Sequence, residues 1–214
     1  MANFDKNRFR TQKQQWETPD ELFDFLNRIY NFDWDLAGDS KNTKCKKFYS
    51  KEEDALSKKW KGVCWLNPPY GEKKSKLSDW IKKSFDESNE GNCKVVMLIP
   101  ARTNTNWWHD YCMKSKEVLF IKGRPKFKGC VHGLPQPLAL VVFGKNKNTK
   151  FATFDLKIVS DFSKTQGVLS EPSLNMRDEE NLNNFPKLKS KISTSHHANI
   201  MFNLRGRLQS CEKL

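Results

Sequence analysis

Three continuous apolar runs constrain the fold of this chain more than any other feature of its sequence. They occupy residues 94–99, 117–121 and 138–143. Apolar runs without alternating polar residues are typical of strands covered on both faces, so these runs predict a central sheet between two layers. A helix predicted over residues 104–114 separates the first two runs, and this alternation indicates an open, largely parallel α/β sheet flanked by helices.

A helix start is predicted near residue 18. Thr18 is a candidate cap, Pro19 suits the first helical position, and Glu21 follows the cap by three residues. The apolar residues that follow recur at helical spacing and predict one buried face. They are Leu22, Phe23, Leu26, Ile29 and Tyr30.

Two further strands and one helix complete the predicted core. The strands occupy residues 31–36 and 63–66, and a helix over residues 77–85 places four apolar residues on one face. These four are Leu77, Trp80, Ile81 and Phe85. Ligands of open α/β sheets collect at the carboxyl ends of strands, so the residues at Asp35 and after Leu66 are the first candidates for a site.

The charge of the chain favours a polyanionic partner. Lys and Arg total 38 against 25 Asp and Glu, which gives a net charge of +13. Nucleic acid and an anionic membrane surface both satisfy this charge. No apolar run is long enough to span a bilayer, and residues 1–10 lack the apolar stretch of a signal peptide. We therefore expect a soluble, cytoplasmic protein without a membrane partner.

The cysteines and histidines indicate no metal chemistry. Six cysteines lie far apart, and the four histidines match neither a zinc site nor a nucleophilic triad. We expect free, reduced thiols and no metal.

The length of 214 residues suits one sizeable core with tails. We predict a basic arm over residues 1–15, one domain over residues 16–160, and a polar tail over residues 161–214. The tail is rich in Ser, Asn, Lys and Glu, and this composition favours disorder or a loose helical appendage.

The sequence Asn67-Pro68-Pro69-Tyr70 follows the strand at 63–66 directly. These residues suit methyl transfer to a conjugated amine, whose lone pair is delocalised until acceptors hold its two hydrogens. The Asn67 side-chain oxygen and the Pro68 carbonyl are the two candidate acceptors, Pro69 restricts the backbone, and Tyr70 can stack on a base. A plain turn that ends a strand is the alternative interpretation, because Asn and Pro are common in turns.

Several ordered segments extend this motif into a family resemblance. They lie at residues 16–19, 32–37, 54–56, 60, 64–70, 99–103, 107–108 and 123–127. Through them the chain resembles, from about residue 16 to residue 144, the phage and prophage family of small Dam-type DNA adenine methyltransferases. The resemblance implies a Rossmann-like class I methyltransferase fold and S-adenosylmethionine as methyl donor. It also implies site-specific transfer to the 6-amino group of adenine in double-stranded DNA, with no metal and no obligate protein partner.

The resemblance also implies a set of donor-binding residues. Asp35 would lie beside the methionine part of the donor, and Thr18 and Pro19 would border the same pocket. Asp54 is the candidate contact to the ribose or adenine, although it also suits a solvated acid. Trp16 either walls the pocket or packs in the core. The turn after Asp35 carries one glycine where the wider methyltransferase pattern is glycine-rich.

Basic residues mark candidate DNA contacts. Four of them alternate after the strand at 117–121, so an extended backbone would place them on one side. They are Lys122, Arg124, Lys126 and Lys128. A second basic loop includes Lys74, and the arm over residues 1–15 is a third candidate.

Other substrates remain open from the sequence. The same tetrad suits RNA amines, the 4-amino group of cytosine and protein glutamine, since each presents a conjugated nitrogen. Residues 36–39 lack the fuller glycine-rich motif expected of the glutamine enzymes, and the cytosine-amine enzymes more often have serine in place of Asn67. A basic nucleic-acid-binding protein without catalysis is the alternative from another class. A role in shielding phage DNA from restriction follows from the resemblance alone.

Overall fold

The computed structural model describes residues 16–70, 76–128, 136–145 and 148–169. The described residues form one sheet of seven strands with helices on both faces. The strands are β1 (Trp34–Asp35), β2 (Lys47–Phe48), β3 (Gly62–Leu66), β4 (Cys93–Pro100), β5 (Glu117–Lys122), β6 (Leu138–Phe143) and β7 (Lys150–Asp155). The helices are α1 (Asp20–Tyr30), α2 (Leu77–Glu90), α3 (Asn106–Asp110) and α4 (Lys157–Leu169).

The strand order is β2-β1-β3-β4-β6-β5-β7. Every neighbouring pair is parallel except the two pairs that β6 makes with β4 and β5. This sheet is the open, mostly parallel, Rossmann-like arrangement that the apolar runs predicted. Its parallel strands place the ends of β1, β2, β3 and β4 along one edge.

The apolar runs of β4 and β6 are buried because both faces of the sheet are covered there, whereas β5 is buried at Val118 and Leu119 but exposes Phe120. Along β4, Val95, Met97 and Ile99 pack into one apolar cluster and Val96 and Leu98 into the other. The first cluster includes residues of α2 and α3, and the second includes residues of α1 and α4. This alternation explains why β4 carries no polar side.

The predicted helix over residues 104–114 is wrong in length. The α-helical part covers only Asn106–Asp110, and a short 3₁₀ turn follows at Cys112–Lys114. Tyr111 lies between them with φ −125° and ψ −51°, which departs from helical geometry. The helix predicted over residues 77–85 exists but is longer, since it runs to Glu90 and ends at Gly91, whose φ is +86°.

The strand predicted at residues 31–36 is shorter than expected. Asn31 adopts φ +55° and closes α1 by donating its backbone N–H to the Asn27 carbonyl at 2.7 Å. The Asn27 side chain then accepts the Phe32 N–H at 2.8 Å. Strand β1 therefore covers only Trp34–Asp35, with Asp33 and Leu36 each adding one backbone hydrogen bond to β3.

The predicted capping role of Thr18 is also wrong. Helix α1 begins one residue later, with Pro19 at the N-cap position and no side-chain cap. The hydroxyl of Thr18 instead accepts a hydrogen bond from the Asn67 side chain. A tertiary contact therefore takes the oxygen that the local pattern assigned to the helix.

Secondary structure continues beyond residue 160, where the sequence predicted a polar tail to begin. Helix α4 runs from Lys157 to Leu169 and packs against α1. The Phe162 ring lies 5.4 Å from the Phe25 ring, and the Arg28 guanidinium lies 4.8 Å from the centre of the Phe162 ring. In the described part of the chain, no helix is both long and apolar enough to cross a membrane.

Candidate active site

The candidate site lies where three adjacent parallel strands end. Asp35 ends β1, Leu66 ends β3 and Pro100 ends β4. In the sheet register Asp35 lies opposite Trp65, two residues before Asn67. The sheet therefore brings Asp35 and Asn67, which are far apart in sequence, to the same edge.

The side chain of Asn67 is anchored at both ends. Its Nδ2 donates to the Trp16 carbonyl and to Thr18 Oγ1, the latter at 3.0 Å. A backbone carbonyl only accepts hydrogen bonds, so this contact requires the NH₂ end of the amide and sets its orientation. The oxygen Oδ1 consequently faces the Tyr70 hydroxyl, which donates to it at 2.8 Å.

The Tyr70 hydroxyl is held inside the loop. Its oxygen lies 3.1 Å from the Leu98 carbonyl as well as 2.8 Å from Asn67 Oδ1. Burial raises the pKa of this phenol, so the group keeps its proton. The hydroxyl anchorage was missed by the sequence interpretation, which considered only the ring, and stacking of that ring on a base stays a prediction.

The two prolines give the loop a fixed backbone. Pro68 is buried and Pro69 is half-buried. Neither has an N–H group, and among the described residues no donor reaches the Pro68 carbonyl. The loop thus holds two acceptor oxygens, Asn67 Oδ1 and Pro68 O, within two consecutive residues.

Asp35 shapes the loop that follows β1. Its carboxylate is 5% exposed, with Oδ1 accepting the Ala37 N–H at 3.2 Å and Oδ2 accepting the Lys44 N–H at 3.0 Å. Burial raises the pKa of Asp35, and these two backbone hydrogen bonds oppose the rise. A Cβ atom on Gly38 would lie 3.1 Å from Asp35 Oδ2, so the single glycine of this turn allows the close approach. The predicted contact of Asp35 with the donor stays a prediction.

An open cleft of about 510 Å³ lies beyond the ends of β1 and β2. Its lining consists of Asp39, Ser40, Lys41, Phe48, Ser50, Glu52 and Glu53. Asp54, the predicted contact to the donor nucleoside, does not line this cleft. Its carboxylate accepts the Leu56 N–H at 3.2 Å and caps the 3₁₀ turn Ala55–Ser57. The sequence interpretation missed the lining residues because it did not predict strand β2.

The segment from Trp16 to Pro19 borders the loop over residues 67–70, through the contacts of Trp16 and Thr18 with Asn67. Thr18 is 3% exposed and contacts Asn67, as described above. The Trp16 ring packs 5.9 Å from the Phe127 ring, so this tryptophan joins the second apolar cluster. Trp16 is half-buried against this cluster, which agrees with the packing alternative, and its role in a donor pocket stays a prediction.

The basic segment after β5 has the alternating pattern that the sequence predicted. Pro125 and Phe127 are buried, whereas the four basic residues of the segment are exposed: Lys122, Arg124, Lys126 and Lys128. Two of these side chains already have acidic partners, since Lys122 lies 3.0 Å from Asp155 and Lys128 lies 2.6 Å from Asp20. The remaining predicted DNA contact, Lys74, lies outside the described residues, as does the basic arm over residues 1–15.

The described ranges contain no cluster of His, Cys, Asp and Glu that could hold a metal ion. The cysteines whose state the structure describes are free thiols, and burial raises the pKa of Cys112. The polar groups at the carboxyl edge are amide, carbonyl, hydroxyl and carboxylate. Such groups bind and orient a substrate by hydrogen bonding.

Comparison with known proteins gives consistent matches. Residues 6–170 match the family described as DNA N-6-adenine-methyltransferase (Dam). A protein of Escherichia phage T1 with the name DNA N-6-adenine-methyltransferase is 34% identical over 111 residues, which cover 50% of this chain and 44% of the phage protein. A protein of Haemophilus phage HP1 (strain HP1c1) with the same name is 33% identical over 119 residues, which cover 54% of this chain and 66% of that protein.

A bacterial protein matches a shorter part of the chain. The putative methyltransferase YfdM of Escherichia coli (strain K12) is 39% identical over 64 residues, or 26% of this chain and 70% of that protein. The aligned part spans less than two thirds of each of the two phage relatives.

Proposed function

The chain belongs to the DNA N-6-adenine-methyltransferase (Dam) family, and we propose that it transfers a methyl group from S-adenosylmethionine to the 6-amino group of adenine in double-stranded DNA. One observation carries this proposal. The Asn67 amide is oriented by its NH₂ end, so its oxygen faces the Tyr70 hydroxyl within the loop that also carries the Pro68 carbonyl, directly after β3.

The acceptor oxygens address the chemical difficulty of the reaction. The lone pair of an adenine amine is delocalised into the ring, and two acceptors for its hydrogens favour the pyramidal geometry in which the nitrogen is nucleophilic. Asn67 Oδ1 and Pro68 O are the two acceptors. An amide oxygen has two lone pairs, so Oδ1 can accept from the substrate while it also accepts from Tyr70. Catalysis then rests mainly on orientation of the amine.

Tyr70 supports this arrangement as a hydrogen-bond donor. Since burial raises the pKa of its phenol, the hydroxyl stays protonated and cannot act as a base near neutral pH. It therefore fixes Asn67 Oδ1 in place. The ring can still present a surface to the base, and this stacking is part of the proposal.

The residues at the ends of β1 and β2 fit the methyl donor. S-adenosylmethionine supplies a methyl group activated by a positively charged sulfur. The cleft beyond these strands offers the carboxylates of Asp39 and Glu53, which suit ribose hydroxyls or an ammonium group, and the ring of Phe48, which suits a purine. Asp35, Thr18, Pro19 and Trp16 are proposed to border the donor on the side nearer Asn67.

The exposed cations after β5 are proposed to contact the DNA backbone. Arg124 and Lys126 are exposed, and no acidic partner reaches either among the described residues. Because the target nitrogen is stacked inside the duplex, the adenine must rotate out of the helix before it reaches Asn67. The DNA contacts would hold the duplex while the base occupies the site.

Product analysis tests the proposed function. The full chain is incubated with S-adenosylmethionine and unmethylated duplex DNA, and the nucleosides are measured by mass spectrometry. We expect 6-methyladenine in DNA and none with the Asn67→Ala variant. Methylcytosine, or modification of RNA alone, would contradict the proposed substrate. Absence of any saturable binding of S-adenosylmethionine by titration calorimetry would favour a plain nucleic-acid-binding protein.

A further inference from the structure

Four charged side chains form an ion cluster beside the candidate site. Lys44 Nζ contacts the Asp20 carboxylate and lies 3.5 Å from Glu17 Oε1. Lys128 Nζ lies 3.1 Å from the same Glu17 oxygen and 2.6 Å from Asp20 Oδ2. Each carboxylate is therefore shared by two ammonium groups. We refer to Glu17, Asp20, Lys44 and Lys128 as the ion cluster.

The ion cluster lies on the segment that anchors Asn67. The acceptors of Asn67 Nδ2 are the Trp16 carbonyl and the Thr18 hydroxyl, which flank Glu17 in sequence. Lys128 contacts this segment through its side chain and through its backbone, since its N–H donates to the Glu17 carbonyl at 3.1 Å. The segment over residues 16–20 is thus held by the loop after β1, through Lys44, and by the segment after β5, through Lys128.

Resting on the proposed function, we propose that Lys44 and Lys128 are positioning residues for Asn67, and that Lys128 holds the segment over residues 16–20 instead of binding a DNA phosphate. The alternating exposure of the basic segment suggested that all four of its cations face DNA. The partners of these cations differ. Lys128 contacts two carboxylates of the segment over residues 16–20, whereas Lys126 has no acidic partner among the described residues.

We expect the ion cluster to stabilise the segment over residues 16–20 more than an isolated surface ion pair would. Isolated exposed pairs contribute little because water screens them and long side chains lose entropy. Here the side chain of Lys44 is only 10% exposed, so one member of the network is already ordered. Removing either lysine leaves Glu17 and Asp20 as neighbouring like charges with half of their compensation.

Electrostatics supports the same assignment. The carboxylates of Asp20 and then Glu17 raise the pKa of Lys128, and hydrogen bonds from Lys128 and then Lys44 lower the pKa of Asp20. Lys128 therefore interacts favourably with acids of this chain. A phosphate at Lys128 would lie near two carboxylates that already compensate the charge of this lysine, whereas Lys126 has no acidic neighbour among the described residues.

The salt dependence of DNA binding separates a phosphate contact from a positioning residue. Each phosphate contact contributes a slope of about −0.9 to the logarithm of the association constant against the logarithm of salt concentration. We expect Lys126→Met to reduce the slope by about one such unit and Lys128→Met to leave it unchanged. The Lys128→Met variant should instead lower kcat by about tenfold, since small displacements of catalytic groups have effects of this order or larger. Lys128→Arg, which keeps the charge, should restore most of the rate.

The side-chain amide of Asn67 gives a readout that does not depend on activity. Its ¹H–¹⁵N resonances can be assigned by their loss in Asn67→Ala. We expect them to move in Lys128→Met and in Lys44→Met by similar amounts, because both lysines contact the same two carboxylates. Lys82→Met is the matched control, since Lys82 pairs with Asp86 on α2 and has no contact with the segment over residues 16–20.

The possible outcomes are distinct. Lys128→Met with a reduced salt slope, a normal kcat and unmoved Asn67 resonances would overturn the inference and make Lys128 a phosphate contact. A wild-type chain that methylates nothing would overturn the proposed function, while the amide resonances would still decide whether Lys128 positions Asn67. Midpoints of thermal unfolding for Lys128→Met and Lys128→Arg distinguish a local shift from loss of the fold.

Discussion

At the scale of the residue, three partner groups orient the side-chain amide of Asn67. Its NH₂ end has two acceptors, and its oxygen has the Tyr70 hydroxyl as donor. The two acceptors belong to the segment over residues 16–20, and the donor belongs to the same loop as Asn67. Variants that remove one partner at a time therefore separate orientation of the amide from its presence.

Tyr70→Phe removes the hydroxyl and keeps the ring. We expect kcat to fall by about tenfold, because Asn67 Oδ1 loses the donor that fixes it. The KM for DNA should change little, because phenylalanine keeps the ring that is proposed to stack on the base. Steady-state kinetics measures both constants. Tyr111→Phe, in the turn after α3, is the matched control, and an unchanged kcat in Tyr70→Phe would contradict the role of the hydroxyl.

Thr18→Val removes the second acceptor of Asn67 Nδ2 in a side chain of similar shape. Thr18 is 3% exposed, so in the variant the Asn67 amide hydrogen loses its acceptor at a buried position. We expect a loss of about 1 to 2 kcal/mol in the free energy of unfolding and a lower kcat. Urea unfolding and initial rates measure the two effects. Thr18→Ser keeps the hydroxyl and should retain the wild-type kcat, and a low rate in Thr18→Ser would mean that the methyl group matters more.

Residue types and local spacing selected Asn67 as a candidate, and the family resemblance selected Thr18, but neither showed that Thr18 contacts Asn67. Its hydroxyl was assigned to a helix cap, whereas the fold uses it for a contact across 49 positions. The partners of Lys128 were equally invisible, because Glu17 and Asp20 are far from it in sequence. Asp54 was selected for its place in the chain, and its carboxylate is used locally by the 3₁₀ turn.

At the scale of the element, buried strands were the most predictable part of the fold. The runs at β4 and β6 are apolar because helices cover both faces of the sheet, whereas the run at β5 leaves Phe120 exposed. Strand β7 escaped prediction because it lies at the sheet edge, where Phe151 is 48% exposed and Lys150 is exposed. Helix α4 was harder to predict because, over residues 157–164, Val159 is the only buried residue.

Helix α4 is expected to contribute to stability despite its polar composition. Phe162→Ala removes a ring that packs on Phe25 and lies under the Arg28 guanidinium. We expect a loss of about 2 to 3 kcal/mol, below the range for a fully buried phenylalanine, because Phe162 is only half-buried. Urea unfolding measures the change. Lys164→Ala, exposed on the same helix, is the control, and equal stability of both variants would mean that α4 does not support the core.

At the scale of the whole molecule, stability in acid depends on two carboxylates whose pKa values shift in opposite directions, Asp20 and Asp35. Lys128 and Lys44 lower the pKa of Asp20, so its contribution is present above the pKa of an unfolded aspartate and is lost as pH falls through the lower folded pKa. Burial raises the pKa of Asp35, so ionisation of Asp35 opposes folding as pH rises through the unfolded value towards the raised folded pKa.

Asp20→Asn tests the first of these contributions. The variant should be less stable than the wild type near neutral pH, and the difference should shrink as the solution is acidified below the ordinary range of aspartate. Thermal unfolding midpoints between pH 3 and pH 7 measure the difference, with the exposed Asp24→Asn on the same helix as control. A difference that stayed constant across this range would contradict the ionic origin of the effect.

The fold and the loop over residues 67–70 together place Asn67 at the centre of the proposed site. The strand order brings β1, β3 and β4 to one edge, and the tetrad after β3 presents its acceptors there. The direct measurement compares kcat for Asn67→Ala and the wild type on duplex DNA, with donor and DNA affinities measured alongside. We predict a kcat at least about 100-fold lower with both affinities nearly unchanged. Methylation by Asn67→Ala at the wild-type rate would contradict the account.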